Sequence, residues 1–275
     1  MILYRGMDRP ALDAAYNNGA SVAGSAEIIA QWQRRSAVLR DRVAGPRNVP
    51  YASPPRARLD FFPARHSGAP TLLFFHGGYW QRNAREGFSF VAEGALAHGI
   101  SVAVAGYTLA PEARMDDIVV EARAAAAWLH DNLADWGGDP NRIFAAGWSA
   151  GGHLAAMVMG ETAIRGGLAI SGIFDLEPIR LNYLNEKLGL DAAESQRNSP
   201  LYHLPERTGA LLVAVGGDEL PELRRQSQDY ADAWRGHGLP VVFQELPRCH
   251  HYAALEQLAH PDGTLVDALR ELVSS

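Results

Sequence analysis

Residues 142–157 read Arg142-Ile143-Phe144-Ala145-Ala146-Gly147-Trp148-Ser149-Ala150-Gly151-Gly152-His153-Leu154-Ala155-Ala156-Met157. The first seven are a short run suited to a buried strand, and the residues after Ser149 have helical character. Between them lies a G-x-S-x-G pentapeptide, Gly147 to Gly151. The pentapeptide alone recurs often by chance. Its position between a strand and a helix makes it informative, because that order puts the serine on a sharp bend with its hydroxyl lifted above the sheet. The glycines are required where a side chain would strike the strand or the helix. The helix start behind the bend favours negative charge nearby. Ser149 is therefore the expected nucleophile.

Seventy residues upstream, Thr71 to Phe75 (TLLFF) forms another strand-like run, followed by His76-Gly77-Gly78-Tyr79-Trp80. Acyl transfer to a serine creates an oxyanion, which needs preorganised N–H donors. A glycine-rich loop at the end of a strand can offer them. The expected donors are the backbone N–H groups of Gly78 and Tyr79, with that of Ala150 after the nucleophile; Gly77 is an alternative. His76 is read as a loop-holding residue and His153 as a packing residue. Tyr79, Trp80 and Trp148 adjoin these positions and are the expected substrate-binding residues. For Trp148, packing into the core beneath the bend is an equal reading.

Further strands are expected at 58–62, 100–105, 168–173, 210–215 and 241–245, with helices at 88–98, 116–136, 150–160, 221–237 and 264–272. Alternating strands and helices predict a mostly parallel α/β sheet covered on both faces. Residues 1–275 read as one domain. Its first 45 residues are helical and amphipathic. In the segment 25–43, Ile28, Ile29, Trp32, Ala37, Leu39 and Val43 form the expected apolar face, with Ser25 as N-cap. This N-terminal segment, and the insertion at 182–199, are candidates for a small lid. Tyr16, Asn17 and Asn18 are the residues expected to reach the site from it.

A serine presented this way needs an acid and then a histidine, each after a later strand. Gly216-Gly217-Asp218-Glu219 follows the strand at 210–215. Asp218 is the expected acid, Glu219 its competitor and Asp175 a more distant alternative. The strand at 241–245 is followed by His250 and His251, and residue pattern alone does not choose between them.

The 275 residues carry 47% hydrophobic and 20% charged residues with a net charge of −6. That balance argues against nucleic acid or an anionic membrane as partner. The single cysteine, Cys249, excludes an internal disulfide and a cysteine-rich zinc site. No metal-ligand spacing, phosphate-cradling loop or membrane-length apolar run is present, so neither cofactor nor metal is expected. The charged N-terminus is unlike a signal peptide. A cytoplasmic protein is the expectation, with pairing into a homodimer left open.

HGGYW followed by GWSAGG resembles the kynurenine formamidase (arylformamidase) branch of the esterase/lipase α/β-hydrolases. Residues 171–178 (SGIFDLEP), Gly216 to Glu219 and Arg224-Arg225-Gln226-Ser227 are similar to that group too. The likeness spans roughly residues 70–255. It implies the α/β-hydrolase fold, a Ser-His-Asp triad and hydrolysis of a small-molecule ester or an aryl formamide. An aromatic residue usually follows the histidine in that group. His251-Tyr252 matches, which selects His251. Three functions stay open: an arylformamidase-like enzyme working through an acyl-enzyme, a carboxylesterase for short-chain or aryl esters, and a non-catalytic binding protein.

Overall fold

The computed structural model describes residues 1–274. Eight strands make one sheet: β1 (Val49–Pro50), β2 (Arg58–Phe62), β3 (Ala69–Phe75), β4 (Ser101–Ala105), β5 (Gly138–Trp148), β6 (Ile164–Ile170), β7 (Leu211–Gly216) and β8 (Val241–Leu246). Their order is β1-β2-β4-β3-β5-β6-β7-β8. β2 runs antiparallel to both its neighbours, and every pair from β4 to β8 is parallel. This is the α/β-hydrolase arrangement, as the alternating pattern predicts.

Among the described residues twelve α-helices surround the sheet: α1 (Arg9–Ala15), α2 (Asn18–Ser21), α3 (Ser25–Arg42), α4 (Ala92–Ala97), α5 (Met115–Asn132), α6 (Ala150–Met157), α7 (Glu177–Arg180), α8 (Asn185–Leu188), α9 (Ala192–Arg197), α10 (Pro221–Gly236), α11 (His251–Ala259) and α12 (Thr264–Ser274). Every residue of β3, β4 and β7 is buried, as a strand covered on both faces must be. Alternate residues serve opposite layers. Leu73, Phe75, Ala103 and Ala145 join Leu129 of α5, Leu154 of α6 and Trp234 of α10. Leu72, Phe74, Val102 and Phe144 join Trp32 of α3, Ala95 of α4, Leu255 of α11 and Leu265 of α12.

Several boundaries differ from expectation, each for a local reason. β6 spans 164–170 rather than 168–173, because Ser171 adopts a positive φ of 51° and takes the chain out of the sheet. The helix expected at 88–98 divides into a 3-10 helix, Arg85–Val91, and α4. In α3 the inward residue after Trp32 is Ser36, one helical turn on, and not Ala37. The Ser36 hydroxyl accepts from the Phe90 N–H at 3.1 Å, which satisfies it in the core. Gly24, not Ser25, is the N-cap of α3. The helix α11 was not anticipated. Its N-cap is His250, whose Nδ1 accepts the Ala253 N–H at 3.1 Å.

The N-terminal helices are bound to the body of the fold. The Tyr16 hydroxyl donates to Glu222 at 3.1 Å and accepts from Gln226 at 2.7 Å, both on α10. The Tyr4 hydroxyl donates to Asp175 at 2.8 Å. Residues 182–199 include α8 and α9: the Tyr183 N–H bonds Asp13 of α1 at 2.8 Å, and Glu194 of α9 pairs with Arg114 beside α5.

Candidate active site

The carboxyl ends of β3, β5, β7 and β8 deliver the candidate residues to one edge of the sheet. At the end of β5 the chain turns through Ser149, whose φ and ψ of 59° and −121° lie outside the regions open to most residues. Such a conformation costs on the order of 1–3 kcal/mol and persists only where its surroundings enforce it. Here they do. A Cβ on Gly147 would lie 2.0 Å from the Gly151 carbonyl oxygen, and one on Gly151 would lie 1.9 Å from that of Phe75. Both glycines of the pentapeptide are therefore fixed by contact between backbones. The Ser149 N–H is held by the Ile170 carbonyl at 2.8 Å.

The loop after β3 is also tightly wound. Gly78, Tyr79 and Trp80 all have positive φ. The Gln81 and Arg82 N–H groups both donate to the Gly78 carbonyl at 3.1 Å, and Asn83 Nδ2 donates to the Gly77 carbonyl at 3.0 Å. His76 is fully buried between the rings of Tyr107 and Phe88, with its Nδ1 2.9 Å from the Gly77 carbonyl. Burial pushes its pKa down to about 4, so it is a neutral structural group at physiological pH. His153 is likewise buried, bonded to the Asn198 carbonyl at 2.7 Å and pushed down to about 4.

His251 opens α11 and is 3% exposed. Its Nδ1 lies 2.6 Å from Glu219 Oε2. The other oxygen, Glu219 Oε1, accepts from the Ser171 hydroxyl at 2.5 Å and from the Gly216 N–H at 2.8 Å. The carboxylate is thus anchored from three directions and fixes the imidazole with its proton on Nδ1, leaving Nε2 as acceptor. This corrects the expected acid. Asp218 is exposed to solvent, and its own N–H bonds the Cys249 carbonyl at 3.0 Å. The turn from Gly216 to Glu219 closes with a 3.2 Å backbone bond and sends residue 218 outward and 219 inward. Asp175, the distant alternative, is occupied by Tyr4 and by the Glu177 N–H.

A cavity of about 110 Å³ is lined by Ser149, His251, Gly78, Tyr79, Trp148 and Tyr252, and by Asn18, Gly19 and Ile29 of the N-terminal segment. Trp148 combines its two expected places. Its ring lies 4.7 Å from that of His251, and its Nε1 donates to the His251 carbonyl at 2.9 Å. Trp80 is corrected from the expected substrate wall to the core: it is fully buried and packs edge-on against His153 at 5.0 Å. Of the three lid residues, Asn18 reaches His251. Asn17 caps α2 through the Ala20 N–H, and the Tyr16 ring turns to α10. Asn18 Nδ2 stands 3.0 Å from the Tyr79 hydroxyl and 3.3 Å from His251 Nε2.

Comparison with known proteins gives the family of this fold. A family model described as an alpha/beta hydrolase fold matches residues 72–199. Kynurenine formamidase of Danio rerio is 32% identical over 241 residues, covering 82% of this chain and 81% of that protein. The same enzyme of Salmo salar is also 32% identical, with the same coverage. The chain belongs to the kynurenine formamidase branch of the α/β hydrolases. It is an enzyme of the serine hydrolase type, with esterase-like character. Among solved structures, a protein of Silicibacter sp. TM1040 described as a thioesterase superposes with a TM-score of 0.83 at 29% identity, over 96% of this chain and 99% of that one. A hyperthermophilic esterase from Pyrobaculum calidifontis shares the fold at 20% identity and a TM-score of 0.68, over 90% of this chain and 94% of that one. No helix among the described residues is long and apolar enough to cross a membrane.

Proposed function

We propose that this chain hydrolyses a small acyl compound, an aryl formamide in the first place, through an acyl-enzyme on Ser149. His251 Nε2 takes the hydroxyl proton as Ser149 attacks the carbonyl carbon. The resulting oxyanion is received by the N–H groups of Gly78, Tyr79 and Ala150. His251 then gives the proton to the leaving nitrogen or oxygen, the C–N or C–O bond breaks, and water repeats the sequence on the acyl-enzyme. Glu219 holds the imidazole tautomer and stabilises the imidazolium without taking the proton itself.

The observation that carries this reading is the 2.6 Å contact of His251 Nδ1 with a buried, doubly anchored carboxylate, on the cavity that Ser149 also lines. The size of the cavity supports a small acyl group. Pockets that enclose a whole drug-sized ligand run from about 300 to 1,000 Å³, and about 110 Å³ suits a formyl or acetyl group with the leaving group at the mouth. The identity with the fish kynurenine formamidases favours an aryl formamide. Short-chain or aryl ester hydrolysis uses the same groups and is the second reading.

The test compares N-formylkynurenine with p-nitrophenyl acetate in the native enzyme and in Ser149→Ala. The native enzyme turns over the formamide, and Ser149→Ala loses roughly 10⁴-fold or more on both substrates. Absence of formamide cleavage, with the ester still cleaved, leaves the ester reading. A Ser149→Ala enzyme of native activity overturns both.

A further inference from the structure

We propose that Asn18 selects amides over esters: its Oδ1 receives the N–H of the scissile nitrogen, a contact that an ester of the same shape cannot make. The inference rests on the reading that Ser149 and His251 perform acyl transfer.

The argument begins with the orientation of the Asn18 amide. The Tyr79 hydroxyl gives its single proton to the Tyr16 carbonyl at 2.6 Å, so it faces Asn18 as an acceptor. The group 3.0 Å away must therefore be the nitrogen, Nδ2. Its second hydrogen points to His251 Nε2 at 3.3 Å, and Nε2 is an acceptor because Glu219 holds the ring proton on Nδ1. The Tyr79 contact thus fixes the nitrogen throughout, while the Nε2 contact belongs to the resting enzyme and lapses when Nε2 takes up the Ser149 proton. The oxygen is left over. Asn18 is 4% exposed, and its Oδ1 is enclosed without a hydrogen-bond partner. A buried acceptor left unpaired is costly, and such a group in a native fold calls for an explanation.

The chemistry of the leaving group supplies one. His251 Nε2 must deliver its proton to the leaving atom, so that atom comes within hydrogen-bond reach of the same nitrogen that Asn18 touches. In the tetrahedral intermediate of an amide, the leaving nitrogen carries a lone pair and a hydrogen. The lone pair must face Nε2–H to be protonated, so the hydrogen points elsewhere. In a water-poor site that N–H is unsatisfied unless the protein offers an acceptor. The leaving oxygen of an ester carries no hydrogen and gains nothing from one. Asn18 Oδ1 is bonded to the same carbon as the atom beside Nε2, which puts an otherwise idle acceptor next to the point of proton transfer. The step itself is unchanged: C–O to Ser149 forms, C–N breaks, and the proton passes from Nε2 to nitrogen. Asn18 only accepts the hydrogen that stays on the nitrogen.

The experiment measures kcat/KM for formanilide, N-methylformanilide and phenyl formate in the native enzyme and in Asn18→Ala, Asn18→Leu and Asn18→Asp, with Ser149→Ala alongside. In the alanine and leucine variants the formanilide-to-phenyl formate ratio falls roughly ten- to a hundredfold, the loss expected when a buried N–H is left without its acceptor. The N-methylformanilide-to-phenyl formate ratio stays within about threefold of native, because that amide has no N–H to lose. Asn18→Asp keeps an acceptor oxygen, so its formanilide-to-phenyl formate ratio stays above that of the alanine variant, although loss of the N–H groups that meet Tyr79 and Nε2 lowers its activity on all three substrates. Equal losses on all three substrates would make Asn18 a support for His251 alone and overturn the proposal. So would a native enzyme that cleaves phenyl formate but not formanilide, or that treats formanilide and N-methylformanilide alike; these comparisons need no variant to fold. A Ser149→Ala enzyme that still cleaves phenyl formate would instead overturn the acyl-transfer reading beneath it.

Discussion

Glu219 Oε2 stands 2.6 Å from His251 Nδ1, and both side chains are closed off from solvent, at 0% and 4% exposed. The neighbouring carboxylate, Asp218, is exposed and points away. Substitution separates the two. Glu219→Gln keeps the size of the side chain but lets the imidazole settle in the wrong tautomer, and turnover falls by roughly 10²- to 10⁴-fold. Asp218→Asn changes turnover less than about threefold. Steady-state kinetics on one ester substrate decide it, and the reverse pattern would return the role to Asp218.

The indole of Trp148 ties the bend at Ser149 to the start of α11 through its bond to the His251 carbonyl. Trp148→Phe keeps one aromatic ring, deletes that bond and widens the cavity that Trp148 lines. Stability falls by about 1 kcal/mol or more, read from urea unfolding. The loss in kcat is about three- to tenfold, because His251 is less well placed, and KM rises with the widened cavity.

Tyr16→Phe leaves the aromatic core intact but removes the hydroxyl between Glu222 and Gln226. Their polar atoms then lose a buried partner, a cost of about 1–3 kcal/mol. Limited proteolysis is expected to cut residues 1–24 faster in this variant than in the native chain. Since Asn18 lies two residues on, formamide turnover falls together with protection. Unchanged proteolysis and activity would show that the N-terminal helices hold without this bond.

Stability depends on pH through the two buried histidines. His76 and His153 have folded pKa values near 4, below their ordinary value of 6.5, because burial disfavours the charged form. Between those values the unfolded chain binds more protons than the folded one, so stability rises with pH. Their contribution is complete above pH 6.5 and is lost as pH falls toward 4, at a cost of roughly a few kcal/mol for the pair. Urea midpoints from pH 7 to 4 test this. A His153→Gln variant should show a shallower fall than the native protein.

The sequence was most readable where local sterics decide. A serine between two glycines, at the junction of a strand and a helix, admits few geometries, and Ser149 sits as that pattern requires. The strand pattern likewise carries the sheet, because full burial leaves β3, β4 and β7 apolar apart from Thr71 and Ser101. The choice between Asp218 and Glu219 was different. It turns on which side of a single backbone turn faces the histidine, and nothing in the residue types at 216–219 reports that. The inward direction is set by the Ser171 hydroxyl and the Cys249 carbonyl, both distant in sequence. Trp80 was misplaced for a related reason: adjacency to Tyr79 says little where both residues have positive φ and their side chains diverge. His250 and His251 are now distinguished physically, one as the N-cap and one as the first residue of α11.

The contact between Asn18 and His251 joins positions 233 residues apart. During synthesis Asn18 leaves the ribosome 233 residues before His251 does. A nascent chain cannot cleave its substrate until α11 has emerged and packed back against α2. Such long-range closure is slow compared with local structure formation, so catalytic competence should appear as a late event in refolding, after the bulk of the helical signal has returned.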